Sequence, residues 1–213
     1  PHLFSSAASD VYKRQAYAVH AADIDKDGDL DIAAVTDSTK VVWYESDGAA
    51  NPSFTSNNVA TTSTGLIRDL FVADVDSDGD LDIVSAGGKD TVEWHENDGA
   101  ANPTWTTSVV TTNSSSNGEK TDVHVADMDG DGDLDILSLS QSEDTVSWYE
   151  NDGAANPSFT GNDIATSADG ARDVHVADMD NDGDLDIVSV SAFDDTVAWY
   201  ENDGAANPTF TAA

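Results

Sequence analysis

Short apolar runs separated by polar turns recur along the whole chain. In its last part, Asp173–Ala177 alternates between polar and apolar residues, Leu185–Val190 is mostly apolar, and Thr196–Tyr200 is β-branched and aromatic. Residues of these types favour β-strands. No segment shows the 3.6-residue period of an amphipathic helix. The pattern therefore predicts an all-β protein built from short strands.

A polar turn and a fourth strand complete each unit. In the last unit the predicted turn is Glu201–Pro208, which contains Asp-Gly and Asn-Pro, two dipeptides typical of turns. The fourth strand is expected to begin at an aromatic residue that lies 11 positions after a tryptophan. These aromatic residues are Phe54, Trp105, Phe159 and Phe210.

The unit occurs four times at a nearly constant period. The tryptophans that mark it are separated by 51, 54 and 51 residues, and they are Trp43, Trp94, Trp148 and Trp199. Four short strands in a unit of this length are typical of a β-propeller blade, whereas the turns of a β-helix are shorter. We assign the blade repeats to residues 16–65, 66–118, 119–169 and 170–213, the last of them truncated.

A nine-residue acidic stretch lies at the start of each unit. It first occurs as Asp23–Asp31, with an acid at every odd position, and it returns at residues 74–82, 127–135 and 178–186. Five carboxylates in one compact loop repel one another, at about 4 kcal/mol for a close pair near a protein surface. A cation in each loop would relieve this repulsion. The alternative is a set of acidic turns that hold no metal.

The spacing of the acids favours Ca²⁺ over Mg²⁺. Side chains at loop positions 1, 3 and 5 converge on one ion when the chain curls, and glycine at position 6 permits the sharp turn. Position 7 is expected to offer its backbone carbonyl and position 9 to complete the shell. A helical EF-hand is excluded, because its bidentate Glu at position 12 is replaced by Ala or Ser. The predicted ligands, for about four Ca²⁺ ions with one in each repeat, are Asp23, Asp25, Asp27, Asp29, Asp31, Asp74, Asp76, Asp78, Asp80, Asp82, Asp127, Asp129, Asp131, Asp133, Asp135, Asp178, Asp180, Asp182, Asp184 and Asp186.

Composition limits the partners of the chain. Its 213 residues include 42 acidic and 8 basic residues, for a formal charge of −34. Four Ca²⁺ ions would neutralise less than a quarter of that charge, so we expect neither nucleic acid nor direct membrane insertion. The absence of cysteine excludes disulfides and thiolate chemistry. No apolar run is long enough for a transmembrane helix.

The N-terminal segment differs from the repeats. Ser5–Gln15 resembles the translation of a transposase adapter used in sequencing-library preparation. We therefore expect residues 1–15 to be non-native and the natural sequence to begin near Ala16.

The chain as a whole resembles the FG-GAP/VCBS repeat family and is similar to the calcium-bearing blades of integrin α-subunit propellers. The resemblance covers about residues 16–213 and rests on D-x-D-x-D-G-D-L-D-[IV] and W-[YH]-E-[NS]-D-G-A-A-N-P. It implies a calcium loop between the first two strands of each blade, with side chains at positions 1, 3, 5 and 9 and the carbonyl of position 7 as ligands. Family propellers usually close with about six to eight blades. We therefore expect these four blades to be a fragment of a larger ring.

Two further sets of residues recur near the loops. His20, His124 and His175 stand three positions before their loops, where the second repeat has Phe71, and we interpret them as packing residues. We interpret Asp69, Asp122 and Asp173, five positions before their loops, as turn-capping or edge acids. A residue that recurs in every repeat is expected to have a structural role in the repeat, because an active site normally occurs only once. We therefore expect no catalytic residues.

These features favour a calcium-binding module of a secreted or surface-displayed bacterial protein. Loops of weak affinity would fill in the millimolar Ca²⁺ outside cells. The metal would be structural, and the propeller would bind a surface protein or a glycan, as in adhesion. The alternative function is a non-catalytic or partial propeller domain of a secreted polysaccharide-active enzyme.

Overall fold

The computed structural model describes residues 16–62, 65–87, 91–112 and 120–212. Residues 1–15, which we expect to be a translated adapter, lie outside the described residues, and their origin stays a prediction. None of the described residues belongs to a helix that is long and apolar enough to span a membrane.

The described residues form sixteen strands, which confirms the all-β prediction. The strands, in chain order, are β1 (Val19–Ala22), β2 (Asp31–Thr36), β3 (Lys40–Ser46), β4 (Phe54–Thr61), β5 (Ile67–Ala73), β6 (Asp82–Gly87), β7 (Thr91–Asn97), β8 (Trp105–Thr112), β9 (Lys120–Ala126), β10 (Asp135–Ser140), β11 (Thr145–Asn151), β12 (Phe159–Ala165), β13 (Ala171–Ala177), β14 (Asp186–Ser191), β15 (Thr196–Asn202) and β16 (Phe210–Ala212).

Consecutive strands pair into four antiparallel sheets of four strands each, in the order of the sequence. We call β1–β4 blade 1, β5–β8 blade 2, β9–β12 blade 3 and β13–β16 blade 4. Four-stranded meanders of this kind are the blades of a β-propeller, as the repeat period predicts. The repeat boundaries and the membership of a larger ring stay predictions.

The fourth strands begin at the predicted aromatic residues, but one predicted turn starts too early. β15 continues through Glu201 and Asn202, which we had placed in the turn. Asn202 pairs with Phe210 in the ladder between β15 and β16. Its backbone N–H also donates a hydrogen bond to Asp186 Oδ1 at 2.8 Å, so a side chain outside the ladder helps to extend the strand.

The hydrophobic cores lie between neighbouring blades. Trp43 of blade 1 packs in one cluster with Leu70 and Ile83 of blade 2, and the next two junctions repeat this arrangement. Both Trp43 and Trp94 are only 1% exposed. Because each sheet buries its faces against its neighbours, the blades depend on one another for stability.

The first strands of neighbouring blades lie side by side. Across them the rings of His20, Phe71, His124 and His175 make edge-on or tilted contacts with centroid distances of 5.1, 4.7 and 5.8 Å, as expected for packing residues.

Two of the acids before the loops also join these first strands. Asp69 Oδ2 accepts a hydrogen bond from Val123 N at 3.1 Å, and Asp122 Oδ2 accepts one from Val174 N at 2.5 Å. Burial, reinforced by the Asp69 carboxyl, raises the pKa of Asp122 to about 9. Asp69 on β5 and Asp122 on β9 therefore lie on edge strands of their sheets, as the second of our two interpretations predicts, and they do not cap turns. Neighbouring sheets share no backbone ladder among the described strands, so amides of the first strands donate to side chains of the preceding blade instead.

Candidate metal sites

Each acidic loop connects the first two strands of its blade, at the place that the family resemblance implies. The first loop leaves β1 at Asp23 and enters β2 at Asp31, and the other three loops occupy the corresponding positions.

Two residues with a left-handed backbone conformation produce the curl of each loop. Position 6 is always glycine, and φ is 98° at Gly28, 96° at Gly79, 102° at Gly132 and 105° at Gly183. Position 4 is also left-handed, with φ of 60° at Lys26, 58° at Ser77, 74° at Gly130 and 64° at Asn181. A Cβ built on Gly28 would meet no atom within 4 Å. The need for glycine at position 6 therefore comes from its backbone conformation and not from crowding.

The curl brings three carboxylates of each loop together. Positions 1, 3 and 5 each place one carboxylate oxygen within 4.8 Å of the other two. The four groups are Asp23, Asp25 and Asp27; Asp74, Asp76 and Asp78; Asp127, Asp129 and Asp131; and Asp178, Asp180 and Asp182.

Backbone amides of the loop hold these carboxylates in place. In the first loop Gly28 N donates to Asp23 Oδ2 at 3.1 Å, and Asp27 N donates to Asp25 Oδ1 at 3.2 Å. Asp29 N donates to Asp27 Oδ1 at 2.9 Å. The same three bonds recur in the other loops. In the third and fourth loops the other oxygen of position 1 also accepts a backbone amide, Asp127 Oδ1 from Gly130 N at 2.8 Å and Asp178 Oδ1 from Asp182 N at 3.2 Å.

Two of these oxygens are buried without any hydrogen-bond donor. They are Asp23 Oδ1 and Asp74 Oδ1, at position 1 of the first two loops. A buried carboxylate oxygen without a partner is costly unless a cation approaches it. Burial and nearby carboxylates also raise the pKa at position 3, in Asp25, Asp76, Asp129 and Asp180. The donor set is all oxygen and anionic, which fits a hard divalent cation.

The carboxylates at position 9 have a second role that sequence reasoning missed. Asp31, Asp82, Asp135 and Asp186 are each only 1% exposed. Asp82 Oδ2 accepts from Val75 N at 3.1 Å and from Trp94 Nε1 at 3.0 Å, and Asp82 Oδ1 accepts from Asn97 N at 2.9 Å. Corresponding amide bonds occur in the other loops. Position 9 therefore ties the loop to the end of the third strand, and its role as a metal ligand stays a prediction.

In the second and third loops, burial outweighs these hydrogen bonds in setting the pKa of the position 9 carboxylate. It raises the pKa of Asp82 to about 7 and that of Asp135 to about 6. A bound cation would oppose this shift, because a positive charge favours the ionised carboxylate.

The carboxylate at position 7 lies away from the other three. In the first loop the Asp29 carboxylate packs against Gly48 of the Asp-Gly turn, where a Cβ would come within 1.8 Å of Asp29 Oδ2. The same pairs occur in the other blades as Asp80 with Gly99, Asp133 with Gly153, and Asp184 with Gly204. Only the backbone of position 7 is therefore left for the metal, as predicted from the spacing, and its role as a ligand stays a prediction.

Each of the first three loops is connected to the following blade by one asparagine. Asn97 Nδ2 donates to Ile24 O of the preceding blade at 3.2 Å and to Leu81 O of its own loop at 3.1 Å. Asn151 and Asn202 make the corresponding pairs of bonds. We call these three residues the bridging asparagines. In the sequence these asparagines recur directly before an Asp-Gly dipeptide, and blade 1 has Ser46 at the same position. This recurrence could have identified them, but we had interpreted the stretch only as a turn.

Comparison with known proteins agrees with this repeat structure. A family model described as FG-GAP-like repeat matches residues 23–85, 74–138 and 127–189. Each match begins at position 1 of a loop and ends in the second strand of the next blade. A comparison with curated proteins finds no match.

Proposed function

Because the chain belongs to the FG-GAP-like repeat family, we propose that it is a calcium-binding β-propeller module that acts outside the cell. In this proposal four Ca²⁺ ions are structural, and the propeller serves in adhesion or in binding a surface protein or a glycan. The chain is a repeat module with a site in every blade, which suits a structural metal better than a single reaction centre.

The grouping of three carboxylates in each loop carries the proposal. Four loops repeat it, and in two of them a buried oxygen, Asp23 Oδ1 or Asp74 Oδ1, has no donor. Positions 1, 3 and 5 would hold the ion by their side chains. A bound Ca²⁺ would supply the positive charge that offsets their mutual repulsion.

The position of the loops explains how a metal would stabilise the whole module. Each of the first three loops accepts a hydrogen bond from a bridging asparagine of the next blade, as Ile24 O does from Asn97. An ion that orders a loop would therefore also order a junction between blades. Ligand binding to the folded state alone adds about 2.7 kcal/mol per site at a hundredfold excess over Kd.

The extracellular setting follows from the affinity expected of such loops. Exposed sites with several carboxylates fill at the millimolar Ca²⁺ found outside cells. The charge of −34 also favours partners with basic surfaces, or partners that share Ca²⁺ with the protein.

Thermal unfolding of the full chain with Ca²⁺ titrated against EDTA, and with Mg²⁺ in parallel, tests the calcium sites. We expect the midpoint to rise steeply with Ca²⁺ and little with Mg²⁺, because Mg²⁺ demands a smaller octahedral shell. Isothermal titration should count four Ca²⁺ ions, one for each loop. The same samples applied to a glycan array test the binding function, which should require Ca²⁺.

A loop variant and a matched control sharpen the experiment. The triple variant Asp74→Asn, Asp76→Asn and Asp78→Asn should bind one ion fewer, because it removes the carboxylates of a single loop. Asp169→Asn changes an exposed acid outside the loops and should bind as many ions as the unaltered chain. An unchanged midpoint in a folded, Ca²⁺-saturated sample would falsify the calcium proposal.

A further inference from the structure

Two carboxyl groups on neighbouring first strands lie in contact with each other. Asp69 of β5 and Asp122 of β9 occupy the same position in blades 2 and 3, five residues before their loops, and both are half-buried. The Asp122 carboxyl makes a side-chain hydrogen bond with the Asp69 carboxyl. An ionised carboxylate can only accept hydrogen bonds, so two ionised groups in contact would have acceptors and no donor.

A backbone amide of the following blade holds each of these carboxyls in place. Asp69 Oδ2 accepts from Val123 N of blade 3 at 3.1 Å, and Asp122 Oδ2 accepts from Val174 N of blade 4 at 2.5 Å. Neither carboxyl can turn away from the other without losing a hydrogen bond between blades. The two contacts together connect blades 2, 3 and 4.

The charges that act on Asp122 come from other acids. Asp69 and Asp173 of β13 both raise the pKa of Asp122, in addition to the larger effect of burial. The guanidinium of Arg68, the neighbouring residue on β5, lies over an aromatic ring at the start of blade 1. Lys120, two positions before Asp122 on β9, has a buried Nζ without a hydrogen-bond partner, so it is not paired with either carboxyl.

The histidines beside the two carboxyls favour the neutral form. Burial and the neighbouring His175 lower the pKa of His124, against smaller opposite effects of Asp69 and Asp173. Burial also lowers the pKa of His20, against a smaller opposite effect of Asp69. Neutral imidazoles do not balance two negative charges at pH 7.

We propose that Asp69 and Asp122, which we call the acid pair, share one proton at neutral pH and form a pH-sensitive contact between blades 2, 3 and 4. The proton supplies the missing donor: one carboxyl donates an O–H···O bond to the other, and both keep their backbone amides. Loss of the proton leaves two negative charges in contact, and their repulsion weakens the junctions. The acid pair needs no metal and lies outside the acidic loops.

The direction of the pH dependence follows from where each state releases the proton. The unfolded chain releases it near the ordinary aspartate pKa of 3.8, whereas the folded chain keeps it up to the raised pKa of Asp122, about 9. Between these values the unfolded state binds fewer protons, so the free energy of unfolding falls as the pH rises. The contribution of the shared proton is complete below the first value and is lost above the second.

Infrared difference spectroscopy of the full chain against Asp122→Asn at pH 8 tests the shared proton. The unaltered chain should show the carbonyl stretch of a protonated carboxyl, and Asp122→Asn should lack it. Asp82 and Asp135, with pKa values of about 7 and about 6, are mostly ionised at this pH. The exposed Asp169→Asn is the matched control and should keep the band.

The unaltered chain provides a second reading that needs no variant. Its protonated-carboxyl band should disappear between pH 8 and pH 10, as the acid pair loses its proton. A chain without the band at pH 8 would overturn the proposal, because both carboxyls would then be ionised.

Chemical unfolding from pH 5 to pH 10 at saturating Ca²⁺ tests the consequence for the blades. Asp122→Asn keeps an acceptor for Val174 N and an amide donor for Asp69, and it cannot ionise. The unfolding equilibrium constant of the unaltered chain should rise relative to that of Asp122→Asn by about tenfold per pH unit between pH 5 and pH 8, as one proton requires. Asp122→Ala removes donor and acceptor and should be less stable than Asp122→Asn at every pH.

Parallel pH profiles of the unaltered chain and Asp122→Asn would overturn the proposal in favour of an ordinary structural acid. Calcium titration of Asp122→Asn should still count four ions, one for each loop. Failure of the acid pair is therefore distinguishable from failure of the calcium sites.

Discussion

His95 occupies the position after the blade tryptophan, where the other three blades have Tyr44, Tyr149 and Tyr200. Its side chain is fully buried. Nε2 lies 2.9 Å from Ser85 Oγ, and Nδ1 lies 2.9 Å from Thr107 Oγ1. Both partners are neutral hydroxyls, so nothing nearby compensates for a positive charge on the ring. Burial accordingly lowers the pKa of His95 to about 4.

This pKa shift makes stability depend on pH. The unfolded chain binds a proton at His95 near pH 6.5, whereas the folded chain binds it only near pH 4. The free energy of unfolding should therefore fall as the pH drops through that window, by about 3 kcal/mol in total from this residue. His95→Gln keeps two neutral hydrogen-bonding groups and cannot titrate. It should therefore remove the contribution of His95 to the dependence of the free energy of unfolding on pH.

Chemical unfolding of both proteins from pH 7 to pH 4 provides the measurement. Subtracting the free energy of unfolding of one protein from that of the other removes the contribution of the carboxylates, because both proteins contain them. Parallel pH profiles would contradict a neutral, buried His95.

At the scale of the element, a loop and the strand of the next blade form one hydrogen-bonded unit. Asn151 Nδ2 donates to Val75 O of the preceding blade and to Leu134 O of its own loop, both at 3.0 Å. Its Oδ1 accepts from Gly153 N, also at 3.0 Å. One side chain thus connects two acidic loops and a turn.

Asn151→Ala should lower the free energy of unfolding by about 2 to 4 kcal/mol, because it removes the Asn151 donor from the buried Val75 carbonyl and from the partly buried Leu134 carbonyl. It should also weaken Ca²⁺ binding at the loop of blade 2, which loses its connection to blade 3. Denaturant unfolding and calcium titration measure the two effects. Asn156→Ala, an exposed asparagine in the same blade, is the matched control and should change neither. Equal stability of the two variants would contradict a bridging role.

At the scale of the whole molecule, charge opposes folding when no cation is bound. Acidic residues outnumber basic residues by 42 to 8, and twenty of the acids lie in the four loops. One ion pair joins neighbouring loops directly, between Lys26 of the first loop and Asp80 of the second. An exposed pair of this kind contributes little to stability, so it does not offset the repulsion.

The metal-free chain should therefore gain stability from salt. The Debye length shrinks from about 30 Å at 0.01 M to about 8 Å at 0.15 M, which screens repulsion between loops. We expect the unfolding midpoint in EDTA to rise by several degrees over this range with choline chloride, and the dependence to be weaker with Ca²⁺ present. A midpoint in EDTA that is independent of salt would contradict this account.

The sequence predicted the elements well because their signals are local. The aromatic residues from Phe54 to Phe210 mark the starts of all four fourth strands, and the acidic loops lie between the first two strands of each blade. Alternation, turn dipeptides and spacing of acids all act within about ten residues. The contacts that we did not predict join residues that lie far apart along the chain. Asp69 meets Val123 across 54 residues, and Asn97 meets Ile24 across 73 residues.

The sequence by itself thus determined the strand order, the repeat and the grouping of carboxylates at positions 1, 3 and 5, because short-range backbone conformation produces them. Only the tertiary structure decided that the carboxylates at position 9 hold backbone amides, and that asparagines join one loop to the next blade. Those features depend on which blades pack together, and packing brings together residues whose separation in sequence carries no periodic signal.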